Sequence, residues 1–280
     1  MPDSIPSILQ FEEAYFERVW GGRRLETVLG KPIPPGIPIG EAWLISDHAE
    51  CESVVSDGSL AGRTLRELLK ENASAILGER PQLTIHGRFP LLLKILDSAD
   101  YLSVQVHPDD DDAKRFGEPD VGKTEMWHVL FAEANSELIC GMPPSVTCKT
   151  FADAIAEKSL GDVLTRFPVE SGASVFVPAG TVHAIGPGIL LAEIQQNSNI
   201  TYRVYDWNRL GTDGRPRELH VAKSILVARF GSRHQGANTA LVYESGGATV
   251  SVLAACRYFA AERIRVQGAY ACARNDTIHI

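Results

Sequence analysis

The run Leu102-Ser103-Val104-Gln105-Val106-His107 is the most constraining stretch of the chain, because its side chains alternate between apolar and polar. Period-two alternation belongs to a β-strand whose two faces meet different environments. Leu102, Val104 and Val106 share one face, which would pack outward under a helix or a second sheet. Ser103, Gln105 and His107 share the other, so an amide oxygen and an imidazole two residues apart point into one interior. That is half of a site for a divalent ion.

The other half comes from two later segments. Thr124 to Leu130 reads as a strand with Glu125, Trp127 and Val129 on one face, so the carboxylate of Glu125 can enter the same interior. His128, an odd number of residues further on, faces away. His183 ends the pattern Gly172-x5-Pro178-x-Gly180-x2-His183, in which the proline and glycine shape a tight turn that aims the imidazole inward. Each residue alone has a duller explanation: a half-buried histidine, an exposed amide, a salt-bridging glutamate. Gln105, His107, Glu125 and His183 together give mixed nitrogen and oxygen ligation with room for water or substrate, as a catalytic Zn²⁺ requires. His48, His86, His128, His220, His234 and His279 lack such context and are expected to be structural or surface residues.

The rest of the chain supports a mainly β fold. Strand-like runs at Glu41 to Ile45, Phe89 to Leu96, Ser174 to Tyr205 and across 240–280 alternate with turns such as Trp20-Gly21-Gly22 and Pro178-Ala179-Gly180. Helical spacing is confined to Thr64–Leu77, with Thr64 as N-cap and Gly78 and Pro81 as its end, to Thr150–Phe167 and to His220–Phe230. Asp109 to Gly122 reads as a polar loop. Many short strands with a few helices between them predict a β-barrel or sandwich carrying helical insertions.

Charge narrows the partners. The 280 residues carry a formal net charge of -8 with no Lys/Arg run, which argues against nucleic acid and anionic membrane surfaces. A phosphorylated ligand must then be caught by a few local cations. The first residues lack a basic-then-apolar signal pattern, and no apolar stretch is long enough to cross a bilayer. Cys51, Cys140, Cys148, Cys256 and Cys272 are scattered with no C-x-x-C pair, so buried free thiols and a reducing cytoplasm are expected.

The Gly172–His183 pattern matches the second cupin motif. LSVQVHPDD, GKTEMWHVL, VPAGTVHAIGPGILLAEIQQNSNITYRVYDWNR, VWGG and GEAW closely resemble blocks of the type I mannose-6-phosphate isomerases (phosphomannose isomerases), from about Phe16 to about Leu226. The resemblance implies a cupin-type (jelly-roll) β-barrel and one Zn²⁺ per chain on Gln105, His107, Glu125 and His183. It further implies interconversion of mannose 6-phosphate and fructose 6-phosphate through a cis-enediolate. Arg203 in TYRVYDW is then the active-site arginine, sharing a strand face with Thr201 and Tyr205 while Val204 faces away. Lys123, two residues before Glu125, is the first candidate for the base, its pKa lowered by burial and a neighbouring cation. Trp20, Glu41, Lys94 and Ser103 fall in blocks that resemble the substrate pocket. Short bacterial members of the family usually continue further. Residues 1–235 are therefore expected as the metal-binding catalytic region, and 236–280 as part of a second, incomplete cupin-like barrel completed by N-terminal strands or another chain. The expected partner is a small phosphosugar, and the expected state a monomer with at most weak self-association. Two other readings remain: a non-catalytic sugar-binding cupin, and an iron-dependent oxygenase, which usually offers two or three histidines to its metal.

Overall fold

The structure is a computed structural model and describes residues 5–6, 8–78, 82–231 and 236–271. The chain opens with β1 (Ala14–Gly22), α1 (Arg24–Thr27), β2 (Ile39–Ile45), β3 (Asp47–His48), β4 (Cys51–Glu52), α2 (Leu65–Leu77) and β5 (Leu91–Ser98). Next come β6 (Val104–Val106), α3 (Asp110–Arg115), β7 (Glu125–Ala132), β8 (Glu137–Cys140), α4 (Cys148–Ala156) and β9 (Arg166–Pro168). β10 (Ser174–Val177), β11 (His183–Ile185), β12 (Ile189–Gln196), β13 (Tyr202–Tyr205) and α5 (Val221–Val227) follow. The chain closes with β14 (Leu241–Ser245), β15 (Ala248–Ala255) and β16 (Ala260–Val266).

Two antiparallel sheets make the frame. One has the order β1-β2-β5-β12-β7-β10 and the other β13-β6-β11-β8-β9. The alternation read in the sequence decides which side chains fill the space between them. Trp20, Leu96, Trp127, Val129, Leu138, Val175, Ile185 and Leu191 form one cluster drawn from both sheets. The opposite parity packs outward. Val104, Val106, Tyr202 and Val204 lie beneath Phe151 of α4 and Val227 of α5. On the far side Leu91 and Met126 meet Leu65 and Leu69 of α2 and Leu253 of β15. The result is a mainly β, cupin-type fold with helical insertions.

α2 begins where its N-cap was expected. Thr64 accepts from the Glu67 amide at 3.1 Å and Glu67 accepts from the Thr64 amide at 2.9 Å, a reciprocal capping box. Gly78 is its C-cap, and Pro81 lies outside the described residues.

Other boundaries differ from expectation. The helix expected over 150–167 stops at Ala156, because Lys158 takes a positive φ of 60°, and Phe167 belongs to β9. Asp109 to Gly122 is not all loop: Asp109 caps α3 by accepting from the Asp112 amide at 2.8 Å. Trp20-Gly21-Gly22 ends a strand, beside a register shift between β1 and β2. Leu102 precedes β6 and packs with Trp20 and Trp127 instead of outward with Val104. β1 and β2, among the N-terminal strands that were one of two expected ways to complete a second barrel, pair within the six-stranded sheet, while β14-β15-β16 form a sheet of their own. Of the described cysteines only Cys140 is buried; Cys51 and Cys256 are half-buried, Cys148 is exposed, and Cys272, His234 and His279 lie outside the described residues.

Candidate metal centre and active-site cavity

The proposed ligands meet between the sheets, each delivered by a different local device. Gln105 sits mid-strand in β6, paired directly with His183 of β11 and Arg203 of β13. One row of that sheet thus carries imidazole, amide and guanidinium side by side. Glu125 opens β7 in the opposing sheet. His183 follows a turn in which Gly180 has φ +84°, and an added Cβ would lie 2.4 Å from Arg229 Cγ and 2.9 Å from the Val227 carbonyl oxygen. Only glycine fits there. The Gly180 amide donates to the His107 carbonyl at 2.8 Å, which ties the turn bearing one imidazole to the strand end bearing the other.

His107, Glu125 and His183 place their ligand atoms within 4.8 Å of one another. All three are at most 1% exposed. His107 donates its Nδ1–H to the Ile200 carbonyl at 2.8 Å, and His183 donates its own to the Thr181 carbonyl at 2.9 Å. Those carbonyls fix the tautomer and leave both Nε2 atoms unprotonated, as lone-pair acceptors. They face Glu125, at 3.6 Å from Oε2 for His107 and 3.3 Å from Oε1 for His183. Burial holds both rings neutral: it lowers His107 well below its ordinary range, with Lys123 adding to the effect. For His183, burial outweighs the Thr181 bond and brings the pKa to about 4.

Neither Glu125 oxygen accepts a hydrogen bond, although the Lys123 ammonium stands 3.1 Å from Oε2 as an ion pair. A buried carboxylate with a single ammonium beside one oxygen, and none beside the other, is costly. A divalent cation among its oxygens and the two Nε2 lone pairs removes that cost, so these residues fit a metal ion. Gln105 donates from Nε2 to His183 Nε2 at 3.3 Å, and half a turn of the amide offers oxygen instead.

Gln105 and Lys123 join this cluster to a cavity of about 440 Å³. Trp20, Glu41, Lys94, Ser103 and Arg203 are also on its wall, so every site residue expected from the sequence is gathered in one place. Glu41 accepts from Arg18 Nε and from Trp43 Nε1, each at 2.7 Å. Lys94 Nζ lies 3.4 Å from Glu41 and 3.9 Å from Glu193, 4.7 Å above the Trp43 ring. Burial pushes Glu41 up, but Lys94, Arg18 and the two hydrogen bonds outweigh it and hold the carboxyl at about 2. Glu193 goes the other way: burial, then the charge of Glu125, raise it. The expected lowering of Lys123 is absent from this arrangement. Burial lowers it, but the charges of Glu125 and Glu193 prevail and its pKa is raised.

Arg203 is the cation with spare donors. Its Nη1 donates to the Glu218 carbonyl at 2.8 Å, its buried Nε has no partner, and among the described residues no carboxylate pairs with it. Arg217 by contrast donates from Nε to Asp206 at 2.7 Å. Thr201 shares the cavity wall, whereas a register shift after Arg203 turns Tyr205 toward Trp207, ring centroids 5.2 Å apart. His128 faces away from Glu125 as expected and meets Ser174 Oγ at 2.8 Å.

Sequence reasoning missed Arg18, Glu193, Arg217 and His220 on the wall. Arg18 shares strand parity with Trp20, and Glu193 is a lone acid within an apolar strand; both signals were readable. His220 was expected to be structural or surface. Its place on the wall, with Nδ1 accepting from the Arg203 amide at 3.2 Å, is a product of tertiary packing.

The same fold and sequence pattern occur in known proteins. Residues 8–137 match the profile of the phosphomannose isomerase type I catalytic domain. A Bacillus subtilis protein named probable mannose-6-phosphate isomerase is 39% identical over 93% of this chain and 80% of its own length. A Streptococcus mutans mannose-6-phosphate isomerase is 38% identical over 90% of this chain and 77% of its own. The crystal structure of a Bacillus subtilis mannose 6-phosphate isomerase superposes with a TM-score of 0.85 at 34% identity, covering 93% of this chain and 80% of that one. With two-sheet frame, inward His-Glu-His cluster and near-full-length similarity in agreement, the chain belongs to the type I phosphomannose isomerase family.

Proposed function

We propose that the protein interconverts mannose 6-phosphate and fructose 6-phosphate with one Zn²⁺ held by Gln105, His107, Glu125 and His183. The observation that carries this is Glu125, a buried carboxylate whose one charged neighbour among the described residues, besides the imidazoles, is the Lys123 ammonium, set between two neutral imidazoles at the end of a polar cavity of about 440 Å³. Held there, the zinc would supply a Lewis acid for the sugar carbonyl oxygen, and its charge would offset the Glu125 field that, with Glu193, keeps Lys123 protonated. A redox-inert ion suits an oxygen-rich ligand set with two histidines better than iron does.

Isomerisation moves one proton from C2 to C1 and another from the C2 hydroxyl to the C1 oxygen, through a cis-enediolate. Lys123 is assigned the carbon-bound proton: its Nζ, 3.2 Å from His107 Nε2, sits at the metal end of the cavity and as a free amine can take and return it. Glu193 is assigned the oxygen-bound proton, since burial raises its proton affinity while Glu41 stays ionised. Glu41, fixed by Arg18, Trp43 and Lys94, orients sugar hydroxyls instead of acting as the base. Arg203, with Nε unpartnered and its guanidinium on the wall, receives the phosphate, for which its donor fork is suited. Trp20 and Ser103 shape the wall.

The test is a coupled isomerase assay on mannose 6-phosphate with chelator and zinc add-back. Turnover lost to the chelator and restored by zinc is the expected result. Zinc-loaded, folded protein without turnover would overturn the reading in favour of a sugar-binding cupin. In the same preparation His183→Ala should lose bound zinc, and stoichiometric retention would remove His183 from the ligand set.

A further inference from the structure

A carboxylate outside the cavity governs the backbone that carries Lys123. Asp110 Oδ1 accepts from the Gly122 amide at 3.0 Å and from Gln196 Nε2 at 2.9 Å. Its Oδ2 accepts from the Tyr258 hydroxyl at 2.7 Å and from Arg257 Nη2 at 3.2 Å. Gln196 in turn grips the far side of the lysine: its Oε1 accepts from the Thr124 amide at 2.9 Å, and its own amide donates to the Thr124 carbonyl at 3.1 Å. The Lys123 amide donates to the Pro108 carbonyl at 3.0 Å. The residues on both sides of Lys123, Gly122 and Thr124, are therefore tied through their amides to one Asp110–Gln196 pair. Contact is so close that a Cβ on Gly122 would lie 2.5 Å from the Asp110 nitrogen.

The remaining donors to Asp110 come from far along the chain. Arg257 and Tyr258 form the tip of the hairpin between β15 and β16, in the three-stranded sheet, and among the described residues none of that sheet lines the cavity. Asp110 is not needed to cap α3, since Asp109 does so. Its carboxylate accepts four donors, and charge-assisted bonds of this kind fix geometry more firmly than neutral ones.

We propose that Asp110 is a positioning residue for Lys123, and that Tyr258 holds the Asp110 carboxylate in the orientation this requires. The C-terminal sheet thereby influences turnover without touching substrate. The inference rests on the assignment of proton transfer to Lys123. Displacing a proton-transfer group by about 1 Å costs on the order of a hundredfold in rate.

The experiment uses the zinc-loaded full chain with mannose 6-phosphate and the variants Asp110→Asn, Tyr258→Phe and Lys123→Ala, with each of the first two also combined with the third. Asp110→Asn should lower kcat about tenfold to a hundredfold and Tyr258→Phe several-fold, with KM within about twofold and zinc content unchanged. In the Lys123→Ala background both losses should vanish, because the group being positioned is gone. Equal losses in the two backgrounds, or full kcat in both single variants, overturn the proposal while leaving the lysine assignment intact. Parental turnover in Lys123→Ala overturns the assignment and the proposal with it. Should Asp110→Asn fail to fold, Tyr258→Phe gives the same reading from the hairpin tip.

Discussion

On the proposed reading, Arg203 separates recognition of the phosphate from chemistry at the metal. It pairs with Gln105 across β13 and β6, yet among the described residues its guanidinium lacks the carboxylate partner that Arg18 and Arg217 each have. Lysine at this position keeps the charge but loses the planar fork. Arg203→Lys should raise KM for mannose 6-phosphate about tenfold or more, equivalent to about 1.4 kcal/mol, with a smaller change in kcat. Steady-state kinetics check this, and an unchanged KM would place the phosphate elsewhere. At this scale the candidate ligands were legible because Gln105 and His107 share a strand face. Glu193 was readable only as a lone acid in an apolar strand, and its role depends on the Lys94 and Trp127 directly opposite it.

Strands and helices contribute by aiming side chains and by closing their own ends. The capping box of α2 satisfies two amides that would otherwise lack partners, far from the cavity. Thr64→Ala should cost about 1 kcal/mol in stability, read as a lower urea midpoint, with zinc content and kcat unchanged. A change in kcat without a shift in midpoint would contradict the separation of this helix from the site. The capping pattern T-x-x-E was readable from four residues, whereas α3 hid in an acidic stretch whose hydrophobic periodicity is too short to recognise.

At the scale of the whole molecule, buried charge makes stability depend on pH. In the metal-free protein His183 has a folded pKa of about 4 against an ordinary 6.5, so the unfolded chain binds more protons between those values. Glu41 does the same between its ordinary 4.5 and about 2. Both contributions are fully present above the unfolded pKa and are lost as pH falls through the folded one. Urea midpoints of chelated protein should therefore fall from pH 7 to 4 and fall further below 4.5, the second limb being on the order of 3 kcal/mol. Glu41→Gln should flatten only that lower limb; an unaltered lower limb would show that Glu41 is not the group titrating.

The sequence by itself determined the strand periodicity, the polarity of each strand face and the positions of Gln105, His107, Glu125 and His183, because period-two alternation and turn glycines are local properties of the chain. It determined the α2 cap for the same reason. Tertiary structure alone decided that Glu125 crosses from the six-stranded sheet to meet ligands of the five-stranded one. It also decided that carboxylates hold Lys123 charged, that His220 joins the cavity wall, and that Tyr258 reaches Asp110 across 148 residues of sequence. Field strength, burial and long-range hydrogen bonds depend on distances that no local pattern encodes.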